Sequence, residues 1–157
     1  MTSSPAPVAV ALDTDDLETA VAWAAATGPH LSTVKVGLEL FLRHGADAVR
    51  KTREASGGRE VFLDLKLHDI PNTVTGAARA VAELAPTYLT VHASGGRDMV
   101  RAAVDALPTT KVAGVTVLTT TDTVRPSRIA RTPSDPATLT ASSNSSSLNS
   151  TSGSVGR

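Results

Sequence analysis

The stretch that decides the fold runs from Val61 to Thr73 and reads VFLDLKLHDIPNT. Apolar residues at every second position of its first half are typical of a β-strand. Because strand side chains repeat every two residues, Asp64 and Lys66 are predicted to project from the same face. Asp69 follows just past the strand, and Pro71 suits the first turn of a helix. These charges indicate either a structural salt bridge on an edge strand or a functional site. The functional site is favoured, because burial of two ions in a strand carries a desolvation cost that a purely structural position does not need.

The first 120 residues alternate short apolar runs with amphipathic stretches. The runs that predict strands are Val8–Leu12, Val34–Gly37, Val61–Leu67, Tyr88–Val91 and Val112–Leu118. Four helices are predicted between these strands. Such regular alternation implies parallel strands that are joined by right-handed crossovers.

The predicted helices carry start and stop signals. Asp15 and Glu18 have the spacing of a capping box that starts the first helix, and Gly28 predicts its end. Apolar positions at Leu38, Phe41, Leu42 and Val49 predict one continuous second helix. Apolar stripes also predict a third and a fourth helix, over residues 74–81 and 100–107.

Two architectures share this alternation, the doubly wound open sheet and the closed barrel. The turn after the first strand lacks the glycines of a dinucleotide-binding turn. Polar residues instead recur at or near the carboxyl ends of strands one to five, namely Asp13, Lys35, the Asp64/Lys66 pair, His92 and Thr119. A barrel gathers those ends around one mouth, where its active sites are built. The predicted fold class is therefore α/β, of the (β/α)8 TIM-barrel type.

The length of the chain, 157 residues, is below the roughly 250 residues of a typical barrel of this type. Only about the first five βα units are predicted, over residues 1–122. Residues 123–157 are a low-complexity tail without apolar periodicity, and we expect them to be disordered. The tail is either a natural flexible extension or the product of a shifted reading frame near residue 122. The abrupt loss of pattern favours the second explanation.

The composition excludes several classes of function. Cysteine is absent, which excludes disulfides and thiolate chemistry. The formal net charge is zero and aromatic residues make up 3% of the chain, so nothing predicts a nucleic-acid surface. The first seven residues have no basic region and no long apolar run. We therefore expect a cytoplasmic protein with no membrane span.

The central stretch resembles the signature of the orotidine 5′-phosphate decarboxylase family, Asp-x-Lys-x-x-Asp-Ile-x-x-Thr. The matching residues are Asp64, Lys66, Asp69, Ile70 and Thr73. Sugar-phosphate enzymes of the same superfamily share the first part of the signature but lack the Ile-Pro-Asn-Thr found here. The resemblance covers roughly residues 8–122. It implies a homodimer that converts the nucleotide orotidine 5′-monophosphate to UMP and CO₂ without a cofactor or a metal.

The resemblance also implies three catalytic residues. Lys66 would stabilise the carbanion-like charge that develops at C6 and would supply the replacing proton. Asp64 would lie against the departing carboxylate. Asp69 would be contributed by the partner subunit of the dimer.

Four further residues would bind the substrate if the resemblance holds. Asp13 and Lys35 would hold ribose hydroxyls and join the charged residues, Thr73 would reach the ligand across the dimer, and Thr119 would contact the base or the ribose. Each has a structural alternative. The structural alternatives are a helix N-cap for Asp13, a solvent-directed edge residue for Lys35, a helix-start hydroxyl for Thr73 and a residue of a threonine-rich turn for Thr119.

Other functions stay open at this stage. His92 is more often a structural hydrogen-bonding residue than a catalytic one, and His68 has no assigned role. The alternatives are a Mg²⁺-dependent phosphosugar decarboxylase or synthase and a non-catalytic fragment that pairs with a full-length partner. In such barrels the loops after strands seven and eight commonly grip the phosphate. Since no part of the tail matches those loops, we expect this chain to have very weak activity or none.

Overall fold

The computed structural model describes residues 4–118 of the chain, and in them five parallel strands alternate with α-helices. The strands are β1 (Ala6–Ala11), β2 (Leu31–Gly37), β3 (Glu60–Leu67), β4 (Tyr88–His92) and β5 (Lys111–Val115). The helices are α1 (Leu17–Thr27), α2 (Leu38–His44), α3 (Ala46–Ala55), α4 (Pro71–Ala82) and α5 (Gly96–Ala106), and a 3₁₀ turn spans Ala93–Gly95. The predicted alternation is confirmed.

The strand order decides between the two candidate architectures. Each strand pairs in parallel with the one before it, which gives the order β1-β2-β3-β4-β5. A doubly wound sheet reverses its order at a switch point, and residues 4–118 contain no such reversal. Right-handed crossovers that always advance in one direction place the helices on one side. The sheet is a curled half-barrel of the (β/α)8 type, as predicted.

The main core lies between the sheet and the helices. The strands contribute buried aliphatic side chains that include Val34, Val36, Val61, Leu63 and Leu89. These pack in one cluster with Ala24 of α1, Val49 of α3 and Ala78 of α4. Burial of each Val or Leu stabilises the fold by about 1.5–3 kcal/mol. Because packing uses one face of the strands, the alternate positions are left for the concave face.

The pairing of β3 with β4 is irregular near the carboxyl end of β3. Leu63 pairs with Leu89 and Leu67 pairs with Val91, so the two strands advance by different numbers of residues. Lys66 lies in this irregular segment with a φ of 51°, in the left-handed region. That conformation costs an L-residue about 1–2 kcal/mol. The strand that the sequence predicts as regular is therefore irregular at Lys66, although it continues to Leu67.

The prediction of one continuous second helix is wrong. The segment forms two helices, α2 and α3, which meet at Gly45, where φ is 56° and ψ is −134°. Glycine adopts a positive φ without the steric penalty of a Cβ atom, so the chain turns at this residue. Leu42, which was predicted on the apolar side, is 74% exposed because α2 buries Leu40 instead.

The predicted capping box of the first helix is also wrong. The N-cap of α1 is Asp16, whose carboxylate accepts a hydrogen bond of 2.7 Å from the backbone N–H of Thr19. An N-cap side chain must reach an N–H group two or three residues on, and Asp16 has that position relative to the helix. Asp13 therefore does not cap α1, which removes the structural alternative for that residue.

Two smaller differences concern β5 and α5. Strand β5 ends at Val115 rather than at Leu118. Helix α5 buries Met99 and Ala103, whereas Val104 is 43% exposed. No helix within residues 4–118 is long and apolar enough to cross a membrane. The predicted disorder of residues 123–157 and the position of Thr119 lie outside the described residues.

Gly28 lies at the end of α1, against the end of α3. Its carbonyl oxygen accepts a hydrogen bond of 2.7 Å from Arg59 Nε. A Cβ atom built on Gly28 would collide with the backbone of Ser56, which moves less readily than a side chain. Glycine is therefore required here by the close approach of two backbones.

Replacement of Gly28 tests this packing. Gly28→Ala is expected to lower the free energy of unfolding by about 1–3 kcal/mol, because overpacking forces the backbone to shift. Gly76→Ala is the matched control, since Gly76 is exposed on α4 and an added Cβ meets no atom within 4 Å. The control is expected to be neutral or to stabilise by up to about 1 kcal/mol. Urea denaturation measures both effects, and equal values would contradict the close contact.

Candidate active site

Four charged side chains meet at the carboxyl ends of β1, β2 and β3. Lys66 Nζ lies 2.8 Å from Asp64 Oδ2. Lys35 Nζ lies 3.6 Å from the same oxygen and 3.6 Å from Asp13 Oδ1. We refer to Asp13, Lys35, Asp64 and Lys66 as the charged array. The structure thus brings together four of the residues that the sequence predicted at one rim.

Asp64 is the centre of the array and is only 8% exposed. Its Oδ2 accepts a hydrogen bond from Lys66 Nζ, and its Oδ1 accepts one of 2.8 Å from Thr90 Oγ1. Burial alone would raise the pKa of Asp64. The two hydrogen bonds and the charges of Lys66 and Lys35 outweigh burial, and the pKa is lowered from its ordinary value of 3.8. Asp64 is therefore ionised at neutral pH.

The backbone at Lys66 is held by the neighbouring strand. The N–H group of Lys66 donates a hydrogen bond of 2.9 Å to Thr90 Oγ1, a side-chain acceptor on β4. Left-handed backbone in a residue other than glycine is uncommon, and such conformations cluster at active sites. The irregular end of β3 thereby combines a held backbone with a side chain that extends to Asp64.

The array can stabilise and protonate an anion. The ammonium group of Lys66 is held by Asp64, and the side chain is 33% exposed, so it is accessible to a ligand. A fixed charge aimed at a developing anion contributes several kcal/mol where water is excluded. A positioned ammonium group also serves as a proton donor. Lys35 contacts Asp64 from the neighbouring strand and keeps that carboxylate paired.

The structure does not bring every predicted residue into the array. Asp69 is exposed, and its Oδ1 accepts a hydrogen bond of 2.6 Å from its neighbour, the N–H of Ile70. Among residues 4–118, Asp69 forms no ion pair with Lys66. Thr73 is exposed in the first turn of α4. Thr119 lies outside the described residues.

Two histidines lie beside each other near the same rim. The rings of His68 and His92 have centroids 5.1 Å apart and are tilted by 42°. His92 ends β4, and His68 follows β3. Within the described part of the chain, no three His, Cys, Asp or Glu side chains are placed to hold a metal ion.

Sequence reasoning missed Thr90. Thr90 lies between Leu89 and Val91 in β4, and no motif in the sequence includes it. Threonine is an ordinary strand-forming residue, so its type alone carries no functional signal. The one available signal was its polar character in a strand that is otherwise apolar around it.

Two clefts differ in their relation to the array. A cleft of about 160 Å³ lies beside Asp13 and is lined by residues 12–14 and 37–40. A larger cleft of about 640 Å³ is lined by residues at the amino ends of the strands, such as Pro7, Ser32 and Tyr88. The larger cleft contains no member of the charged array. The smaller cleft is therefore the one next to the chemistry.

The chain is similar to known decarboxylases in sequence and in structure. The model of the Orotidine 5′-phosphate decarboxylase / HUMPS family matches residues 6–147. The orotidine 5′-phosphate decarboxylase of Thermobifida fusca is 65% identical over 120 residues, which cover 74% of this chain and 50% of that protein. The corresponding protein of Frankia casuarinae is 48% identical over 148 residues, which cover 83% of this chain and 54% of that protein.

A solved structure gives the same result. The crystal structure of orotidine 5′-phosphate decarboxylase from Lactobacillus acidophilus matches with a TM-score of 0.63 and 41% identity, over 72% of this chain and 54% of that chain. The chain spans about half the length of the curated relatives it matches. The family match ends at residue 147, whereas the sequence resemblance was predicted to end near residue 122.

The lowered pKa of Asp64 predicts how stability depends on pH. A carboxylate with a lowered pKa stabilises the fold above its ordinary value of 3.8, and this contribution is lost as the pH falls through the lowered pKa. Asp64→Asn is therefore expected to lose less stability than the wild type between about pH 5 and pH 2. Urea denaturation across this range measures the difference. Parallel profiles for the two proteins would contradict the lowered pKa.

Proposed function

Since the chain belongs to the orotidine 5′-phosphate decarboxylase / HUMPS family, we propose that its charged array decarboxylates orotidine 5′-monophosphate to UMP and CO₂. The observation that carries the proposal is the 2.8 Å contact between Lys66 Nζ and Asp64 at the rim of the half-barrel. The residues Ile70 to Thr73 favour this substrate over a sugar phosphate, because they complete the decarboxylase signature. Asp13 and Lys35 hold the ribose hydroxyls.

The proposed reaction needs no cofactor. The bond between C6 of the pyrimidine and its carboxyl carbon breaks, and the electron pair stays on C6. The ammonium group of Lys66 stabilises this charge and then transfers a proton to C6, and water returns a proton to the amine. Asp64 lies against the departing carboxylate and orients Lys66. The cytoplasm is the proposed compartment for this reaction.

A homodimer is the proposed assembly, with Asp69 and Thr73 contributed across the interface. Three features of the structure support it. Asp69 is exposed and does not pair with Lys66 of its own chain. Thr73 is exposed beside it, and Ile70 presents a large apolar side chain that is 65% exposed. A second subunit would cover Ile70 and bring Asp69 to the neighbouring array.

Loss of Lys66 tests the proposed chemistry. Lys66→Ala is expected to lower the turnover of orotidine 5′-monophosphate by about 10³-fold, because it removes the fixed charge and the proton donor. Lys51→Ala, at an exposed lysine of α3, is the matched control and should keep wild-type turnover. Formation of UMP is measured by chromatography. Equal turnover in the two variants would contradict the role of Lys66.

The assay is run in two settings because the chain spans about half the length of its relatives. The first setting is the purified chain, for which we expect very slow turnover. The second is a chimera that joins residues 1–118 to the remaining half of the Thermobifida fusca relative. We expect ordinary turnover in the chimera and its loss on Lys66→Ala. A chimera that folds but does not form UMP would overturn the proposed function.

Subunit mixing tests the proposed dimer. In the chimera, Lys66→Ala and Asp69→Ala are each expected to be inactive alone. When the two variants are mixed, about a quarter of the wild-type activity is expected, because half of the dimers then contain one site with both residues. Turnover before and after mixing measures this. Absence of any gain on mixing would contradict a site shared between subunits.

The runner-up function is a Mg²⁺-dependent phosphosugar decarboxylase or synthase of the same family. The candidate reactions are the decarboxylation of 3-keto-gulonate 6-phosphate and the synthesis of a hexulose phosphate. Catalysis of either reaction that is abolished by EDTA would favour the runner-up. Turnover of orotidine 5′-monophosphate that survives EDTA would favour the first proposal. If neither substrate reacts, gel filtration with a full-length homologue tests whether the chain acts only by pairing with another protein.

A further inference from the structure

We propose that Thr90 is a positioning residue of the charged array, whose hydroxyl group joins the Asp64 carboxylate and the Lys66 backbone into one hydrogen-bonded unit. The importance of this unit for catalysis rests on the proposed function. The geometry of the unit does not. Thr90 belongs to β4, outside the signature stretch that carries the charged residues of β3.

The direction of both hydrogen bonds at Thr90 is determined by chemistry. A hydroxyl group has one proton to donate and lone pairs to accept with. The N–H group of Lys66 can only donate, and it lies 2.9 Å from Thr90 Oγ1. The ionised carboxylate of Asp64 can only accept, and its Oδ1 lies 2.8 Å from the same atom. Thr90 therefore accepts from Lys66 and donates to Asp64.

The sheet itself explains why a side chain performs this task. The β3–β4 pairing is irregular between Leu63 and Leu67, and Lys66 lies inside that interval with left-handed backbone. Its N–H group donates a hydrogen bond to the side-chain hydroxyl of Thr90. Thr90 is only 3% exposed, so water has little access to replace the hydroxyl. Removal of the hydroxyl would leave a donor and a carboxylate oxygen without this partner.

The same contact fixes the geometry of the catalytic pair. Thr90 holds Oδ1 of Asp64, which leaves Oδ2 directed to Lys66 Nζ. It also holds the backbone from which the Lys66 side chain projects. One hydroxyl therefore constrains both ends of the ion pair. A small displacement of catalytic groups is sufficient to reduce turnover by about 10²-fold.

A second buried threonine separates positioning from a general effect on stability. Thr110 is 9% exposed, and its hydroxyl donates a hydrogen bond of 2.8 Å to the carbonyl oxygen of Pro86. This contact lies before β5, at the amino end of the sheet and away from the charged array. Thr110→Val therefore removes a comparable hydrogen bond without touching the array.

The first experiment does not depend on activity. Carbon-detected NMR of the full chain follows the Asp64 carboxyl group during a pH titration, and hydrogen exchange follows the Lys66 amide. In Thr90→Val the pKa of Asp64 is expected to rise, since a hydrogen bond to its ionised form is lost. The Lys66 amide is expected to lose its protection. Thr90→Ser keeps the hydroxyl and should retain both wild-type values, as should Thr110→Val.

The second experiment measures turnover in the chimera. Thr90→Val is expected to lower kcat by about 10²-fold with little change in KM, and Thr90→Ser is expected to restore kcat. If the proposed function is wrong, no variant forms UMP, yet the NMR experiment still decides the role of Thr90. A Thr90→Val variant whose Asp64 pKa and Lys66 amide exchange both match the wild type would overturn the proposal. If that variant does not fold, rapid exchange of the Lys66 amide in the wild type would overturn it.

Discussion

The arrangement of the site depends on one buried carboxylate that two ammonium groups share. An unpaired charge at the position of Asp64 would destabilise the fold, so the surrounding groups must converge on it. Lys35 of β2, Lys66 of β3 and Thr90 of β4 all do so. These partners come from three adjacent strands. The carboxylate therefore links the ends of those strands and organises the candidate site at the same time.

The winding of the chain makes this convergence possible. Because the strands follow one another in sequence order, their carboxyl ends lie side by side along one rim. The aliphatic core uses one set of alternate strand positions, and the charged side chains use the other. Packing and chemistry are thus separated within single strands, as in β3, where Leu63 packs in the core and Asp64 reaches the array.

The sequence predicted which residues form the charged array, but it did not predict the helix break at Gly45 or the hydrogen bonds of Thr90. The Asp64/Lys66 pair followed from the two-residue period of a strand. The barrel architecture placed Lys35 at the same rim, and the family resemblance implied that it joins the charged residues. Gly45 was not recognised as a break, because a single glycine inside a helical pattern is often tolerated. The role of Thr90 depends on an irregularity between two strands. Such a feature requires both chain segments to be placed in space, and no local pattern reveals it.

The left-handed backbone of Lys66 has a consequence for laboratory evolution. Glycine would adopt this conformation without the steric penalty that lysine carries. Glycine at position 66 would also remove the ammonium group, and it would leave the buried Asp64 with Lys35, 3.6 Å away, as its remaining ion-pair partner within residues 4–118. Relief of the backbone strain is therefore offset by a poorly paired carboxylate. Positions 64 and 66 are constrained together, and selection for heat resistance is expected to favour glycine at position 66 only where Asp64 is replaced as well.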